Sequence, residues 1–192
     1  APTAYFLLLG TLAESGSITE LDSALTATAP ELRAFPGLTD SRYAAWFRCL
    51  RATLDGRSER AEQLAHEAYE IAQREGDPDA QGVWVGQLAI IRWTQGRVAE
   101  LEQAFLDRRH VYPEEPIWAV TLAWIWLTQG RRSAARGLVA SLPPVGRMLQ
   151  DRNWLATVCI LAVVAAALGD TAIAAETRDA LLPFEDRLIT IG

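Results

Sequence analysis

The chain has 192 residues, of which 50% are hydrophobic, and it carries a formal net charge of −6. A chain of this length can bury one sizeable core, or a core that runs lengthwise through a repeat array. The acidic balance argues against nucleic-acid binding, which needs a concentrated positive field, and no apolar run reaches the ~18–20 residues that a membrane-spanning helix requires. We therefore expect no direct contact with nucleic acid and no membrane insertion.

The amino-acid composition indicates the kind of genome that encodes the chain and the cellular compartment in which it folds. Every basic residue apart from the histidines is an arginine, and alanine is abundant, a composition typical of a GC-rich bacterial genome. The two cysteines, Cys49 and Cys159, lie far apart, as expected for buried thiols in a reducing cytosol. We expect a cytoplasmic protein, and a disulfide between the two cysteines stays open as the alternative.

In chain order, the strongest signal is a glycine-centred turn that recurs five times. The glycines are Gly16, Gly56, Gly96, Gly130 and Gly169, spaced 34 to 40 residues apart. Each lies between two stretches with helical apolar periodicity. A period of about 34–47 residues built from helix, turn and helix is typical of an α-solenoid.

Placing each glycine in a turn predicts helix pairs, with helix A before the glycine and helix B after it. The predicted pairs are 3–15 with 17–29, 41–54 with 57–75, 79–94 with 97–111, 116–128 with 131–141, and 152–168 with 170–182. Prolines and further glycines separate the pairs at 30, 36–37, 76–78, 113–116 and 143–146, where a helix cannot continue. No interior segment resembles a linker, so we predict a single domain over residues 1–192.

Positions counted from the glycines are also regular. A leucine lies eight residues before four of the five glycines, and an alanine or leucine lies five residues after all five. The run Leu122-Ala123, Gln129-Gly130-Arg131 and Ala135 resembles the tetratricopeptide pattern, in which a leucine and a small residue precede the turn glycine and an alanine follows it. This resemblance implies an all-α fold, a right-handed α-solenoid of about five helix-turn-helix repeats.

The second half of the chain resembles a narrower group. The stretch from Asp151-Arg152-Asn153-Trp154 through Leu182-Pro183-Phe184 to the end is similar to the helical-repeat region of large bacterial regulators of the LuxR/STAND type. Those regulators of transcription or signalling join such repeats to a nucleotide-binding ATPase domain. The chain opens in an apolar run at Tyr5–Leu9 and ends on an apolar segment, and we expect it to be a fragment of such a protein.

The resemblance also implies a concave binding face. In tetratricopeptide stacking, the positions ten, six and three residues before the turn glycine line the inside of the curve. These positions predict a lining for a ligand or partner formed by Trp46, Leu50, Ile90, Trp93, Val120, Trp124 and Leu127. The other interpretation of these tryptophans is that they fill space between helices, as we expect for Trp84 and Trp118.

Residues able to do chemistry are sparse. The soft metal ligands are His66, His110 and the two cysteines, and no pair has the local spacing of a zinc site. The acidic residues Glu62, Glu67, Glu70, Glu114 and Glu115 and the basic cluster Arg131, Arg132, Arg136, Arg147 and Arg152 are typical of solvated surface. No nucleophile elbow or phosphate-binding glycine loop occurs. We expect no enzyme activity, no metal and no cofactor.

These observations predict a non-catalytic interaction or sensor module from a bacterial multidomain regulator. Its partner, bound on the concave face, is a protein or peptide, another domain of the same parent chain, or a small-molecule effector. The alternative is a receptor that holds a small hydrophobic ligand in an apolar groove lined by tryptophans.

Overall fold

The computed structural model describes residues 2–26 and 41–190. Its α-helices are α1 (Pro2–Glu14), α2 (Ile18–Leu25), α3 (Arg42–Leu54), α4 (Ser58–Arg74), α5 (Ala80–Thr94), α6 (Glu102–Val111), α7 (Pro116–Thr128), α8 (Arg132–Ala140), α9 (Trp154–Leu168) and α10 (Thr171–Leu181). Short 3-10 turns lie at Val98–Leu101, Val145–Arg147 and Leu182–Phe184, and the described residues contain no strand. The all-α class is confirmed, while the right-handed solenoid of five repeats stays a prediction.

The predicted helix bounds agree with the structure to within a few residues, with one difference. Residues 97–111, predicted as one helix B, begin as the 3-10 turn at Val98–Leu101 before α6 starts at Glu102. The predicted end of the second helix at residue 29 and the breaks at 30 and 36–37 lie outside the described residues.

The five recurrent glycines share one backbone conformation, which explains their spacing. Their φ angles lie between 70° and 75°, in the left-handed region that only glycine enters without strain. At Gly169 the N–H donates to Ala166 O at 3.1 Å, and the next N–H, of Asp170, donates to Ala165 O at 2.9 Å. This Schellman arrangement caps the last carbonyls of α9 and turns the chain toward α10.

Local sequence explains where several helices begin and which face they bury. The Asp170 side chain accepts a hydrogen bond from the N–H of Ile173 at 3.1 Å and so caps α10. Proline 116 is the first residue of α7, where its missing N–H costs nothing. The buried residues of α4 recur every three or four positions and form one stripe, listed as Ala61, Leu64, Ala65, Ala68 and Ala72.

The chain packs into two compact units. Unit 1 comprises the described residues up to Gln95 together with Asp186–Thr190, and unit 2 comprises Gly96–Glu185. The boundary falls between Gln95 and Gly96, inside the third predicted pair. The single domain predicted for residues 1–192 stays a prediction.

In unit 1, α3 is the helix that contacts most of the others. Helix α3 packs against α1, α2, α4 and α5, and α4 packs against α5. One cluster of the core joins the first pair to α3 through Leu9, Leu21 and Phe47. There the buried Tyr5 hydroxyl donates a hydrogen bond to Ala24 O at 3.0 Å.

Unit 2 is organised around two almost wholly apolar helices, α7 and α9. Helix α7 packs against α6, α8 and α9, and α9 packs against α10. Leu122, Ile125 and Val164 are fully or almost fully buried there, as is Phe105 of α6. The short α8 is amphipathic instead, and it buries Ala135, Leu138 and Val139.

Candidate functional site

Four of the five helices that precede a turn glycine, α3, α5, α7 and α9, carry apolar side chains that the core covers only in part. Six and three residues before the glycine, unit 1 has Leu50 on α3 and Ile90 and Trp93 on α5. Leu50 and Ile90 are half-buried, and Trp93 is 38% exposed. Because α3 and α5 pack against each other, unit 1 presents these residues from two neighbouring helices.

Unit 2 repeats this arrangement on α7 and α9. Trp124 and Leu127 of α7 are half-buried, and Val163 of α9, at the same register as Trp124, is 41% exposed. These two helices also pack directly against each other. We use the name A-face for the corresponding patch of either unit: Leu50, Ile90 and Trp93 in unit 1, and Trp124, Leu127 and Val163 in unit 2.

Two residues of the predicted lining belong to the core instead. Trp46 is 8% exposed and lies edge-on to the ring of Tyr43, with 5.3 Å between centroids, and Val120 is completely buried. Both stand ten residues before the turn glycine, in the first half of their helices. That half is covered by neighbouring helices, so Trp46 and Val120 support the surface rather than line it.

The remaining aromatic residues mostly pack against other side chains. Trp118 is 5% exposed and lies against Phe105, which agrees with a space-filling role. Trp84 is half-buried and stacks on Tyr69 with 4.8 Å between ring centroids and 17° between planes. Trp126 donates its indole N–H to Glu102 at 2.8 Å.

Three of the acidic side chains considered for acid–base chemistry contact other side chains. Glu62 pairs with Arg92 at 3.2 Å, Glu67 with Arg60 at 3.1 Å, and Glu115 accepts the indole N–H of Trp118 at 2.7 Å. These contacts tie the three carboxylates to neighbouring side chains.

The residues with metal-binding or nucleophilic potential are dispersed. His66 and His110 are exposed, and across residues 2–26 and 41–190 no three His, Cys, Asp or Glu side chains are arranged to hold a metal ion. Both cysteines are free thiols, and burial raises the pKa of Cys49 to about 12. Its Sγ contacts Ala61 O at 3.4 Å, so this thiol is a packing group.

A shallow cleft opens in unit 2 where α7 and α9 begin. Its walls include Glu115, Ile117, Met148 and Trp154, and it leaves room for about one water molecule. Pockets for small organic ligands are far larger, about 300–1,000 Å³. This cleft therefore does not serve as a ligand pocket of that kind.

Two charged residues that are buried or hydrogen-bonded in the structure were not identified from the sequence. Glu102 accepts hydrogen bonds from Trp126, Gln129 and Arg131, and Arg108 is only 7% exposed. A signal for Arg108 was present, because it continues the helical spacing of two buried apolar residues, Leu101 and Phe105. Glu102 had no such signal, since its partners lie 24 to 29 residues away.

Comparison with known proteins identified no relative of this chain. No family model, curated protein or solved structure matches the chain. In the part of the chain that the structure describes, no helix is both long and apolar enough to span a bilayer.

Proposed function

We propose that this chain is a non-catalytic interaction module that binds a protein or peptide partner through its A-face. The observation that carries the proposal is the recurrence of exposed or half-buried apolar side chains at the same register in both units. Soluble proteins bury most such residues, and apolar patches that persist on a surface mark interaction sites. Tryptophan is also the residue type most enriched among the energetically dominant contacts of interfaces.

The A-face differs in chemistry from the helices that follow the glycines. Helix α4 buries an alanine-rich stripe and turns the charged residues Arg60, Glu67 and Glu70 to solvent. A partner that buries apolar side chains on binding gains most free energy from the apolar A-face. The charged surface of α4 favours solubility instead.

The wider setting of this proposal is a bacterial multidomain regulator of transcription or signalling. It rests on the resemblance of the C-terminal half of the chain to the repeat regions of such proteins. In that setting the partner is a peptide segment or another domain of the parent chain, and its binding biases the equilibrium between two forms of the regulator.

Selection of a phage-displayed random peptide library on the full chain tests the A-face directly. We expect Trp93→Ala to weaken the binding of peptides selected on the A-face of unit 1 at least tenfold, and Trp124→Ala to do the same for peptides selected on that of unit 2. Leu149→Ala is the matched control, because Leu149 is 80% exposed but lies outside the A-face. The Leu149→Ala variant should bind the selected peptides with an affinity within twofold of the wild-type value.

Circular dichroism and thermal unfolding of each variant separate binding from folding. Folded tryptophan variants that bind the peptides as tightly as the wild type would contradict the proposal. If both variants unfold, the tryptophans are core residues and the A-face is not a binding surface. If no peptide is selected but apolar compounds raise the melting temperature, a small-ligand receptor replaces the proposal.

A further inference from the structure

Arg108 occupies a position that an apolar residue would normally hold. It lies in the last turn of α6, and its side chain is 7% exposed. Arginine stays protonated in proteins, so the fold buries a full positive charge at this point. Burial of a charge is costly unless hydrogen bonds or an opposite charge compensate for it.

Two aromatic rings hold the guanidinium group. Its central carbon lies 4.3 Å from the centroid of the Tyr112 ring and 4.8 Å from that of Trp118. The Trp118 ring is fixed in turn by its indole hydrogen bond to Glu115. The rings attract the charge through their faces, but ring faces accept no strong hydrogen bonds from the five N–H groups of arginine.

Those N–H groups have no acceptor among the residues that the structure describes. Neither a hydrogen bond nor an ion pair connects the Arg108 guanidinium with any residue in 2–26 or 41–190. Of the Arg108 nitrogens, Nε is buried without a hydrogen-bond partner. The two Nη nitrogens have no partner among residues 2–26 and 41–190 either, and they are not fully buried. The two Nη nitrogens are therefore the donors that an external group can reach, while Nε stays without an acceptor.

Two other arginines of this chain show what is missing at Arg108. Arg131 stacks on Trp126 at 4.6 Å and pairs with Glu102. Arg42 stacks on Tyr43 at 4.5 Å, and its guanidinium pairs with Glu75 and with Asp77, the latter at 2.9 Å. In both cases the protein supplies an aromatic face and a carboxylate, whereas Arg108 has two aromatic faces and no paired carboxylate within residues 2–26 and 41–190.

We propose that Arg108 is a binding site for an oxyanion of an external ligand, a carboxylate or a phosphate. The two Nη nitrogens donate parallel hydrogen bonds to two oxygens of the anion, and Tyr112 and Trp118 hold the guanidinium plane in place. Such paired bonds are the strong, geometrically specific mode by which arginine recognises both groups. The site uses no residue of the A-face, so it stands or fails independently of the proposed function.

Titration of the full chain with sodium phosphate, and separately with sodium acetate, tests this site. Ionic strength is held constant with sodium chloride, and Tm and the heat of binding are recorded. We expect saturable one-to-one binding of at least one anion, with Tm raised by about 3–6 °C at ten times its Kd. The anion that binds distinguishes a phosphate site from a carboxylate site.

Three variants assign the effect to the guanidinium fork. Arg108→Met should abolish the saturable response, and Arg108→Lys, which keeps the charge but loses the fork, should weaken binding at least tenfold. Arg109→Met removes a charge from the same helical turn and should leave Kd within twofold of the wild-type value.

Either of two results overturns the proposal. One is a wild-type protein that responds to phosphate and acetate no differently from chloride. The other is an Arg108→Lys or Arg108→Met variant that binds as the wild type does. If Arg108→Met does not fold, the titration of the wild type and Arg108→Lys decides the question.

Discussion

Glu102 is the residue on which the corner between α7 and α8 depends. Its carboxylate accepts the indole N–H of Trp126 at 2.8 Å and the amide of Gln129 at 2.9 Å, and it pairs with Arg131. The hydrogen bonds from Gln129, Arg131 and Trp126 hold the pKa of Glu102 below its ordinary value. Each of these bonds favours the ionised form, so protonation of one side chain weakens three contacts.

The lowered pKa predicts a specific pH dependence of stability. A carboxyl whose pKa is lower in the folded state stabilises the fold fully above its unfolded pKa, here near 4.5, and loses that contribution as pH falls through the folded value. Glu102→Gln should lower the free energy of unfolding by about 1 kcal/mol at pH 6–7, which corresponds to ~2–4 °C in Tm. The loss is modest because the Glu102 side chain is partly exposed. As pH falls from 5 to 3, Glu102 of the wild type becomes protonated, and the difference in stability between the variant and the wild type should shrink.

Thermal unfolding from pH 3 to pH 7 measures this difference. Glu114→Gln, which removes an exposed glutamate from the loop after α6, is the matched control for the loss of one carboxylate. A Glu102→Gln offset that is constant over the whole range contradicts the assignment.

At the scale of the elements, the turn glycines did most to make the helices predictable. Each marks a left-handed cap, a local requirement that one residue type satisfies, so the ends of α1, α3, α5, α7 and α9 could be located from sequence. The burial of Trp46 and Val120 could not be predicted in this way. A register defines one face of a helix, but the coverage of that face depends on neighbours distant in sequence.

A pair of glycines seven residues apart tests the energetic role of the turn. Gly130 has a φ of 75°, whereas Gly137 lies within α8, and an added Cβ would meet nothing within 4 Å at either position. Only backbone conformation therefore distinguishes the two sites. Gly130→Ala should lower the free energy of unfolding by about 1 kcal/mol, and Gly137→Ala should raise it by roughly 0.5–1 kcal/mol.

Urea unfolding of the two variants measures both changes. The opposite signs are the essential result, since a general effect of added volume would move both values in the same direction. Equal effects of the two substitutions would show that the left-handed cap does not limit stability.

At the scale of the whole molecule, unit 1 is assembled from both ends of the described chain. Leu188 donates its backbone N–H to Glu14 O at 2.9 Å, and the Glu14 side chain lies 3.9 Å from Arg187 and 3.4 Å from the Thr190 hydroxyl. No periodicity in the sequence predicted this contact, because segment 186–190 belongs to no repeat and its partner is more than 170 residues away.

Removal of the residues after Glu185 tests whether this return segment stabilises unit 1. We expect truncation to lower the free energy of unfolding by about 1 kcal/mol, the net value of one buried or partly buried backbone hydrogen bond with its flanking contacts. Glu14→Gln weakens only the exposed side-chain contacts, and it should cost less than about 0.5 kcal/mol. Urea denaturation compares the two, and a truncated chain as stable as the full chain would show that the segment does not contribute.

The backbone bond between Leu188 and Glu14 has a consequence for biosynthesis. A ribosome makes α1 early and delivers residues 186–190 only after all of Gly96–Glu185 has been polymerised. Domains usually complete their folding from the N-terminus as translation proceeds. Helix α1 is therefore made well before the segment that completes its contacts, so a nascent chain stalled before residue 186 carries all of Gly96–Glu185 and an α1 still open to chaperones.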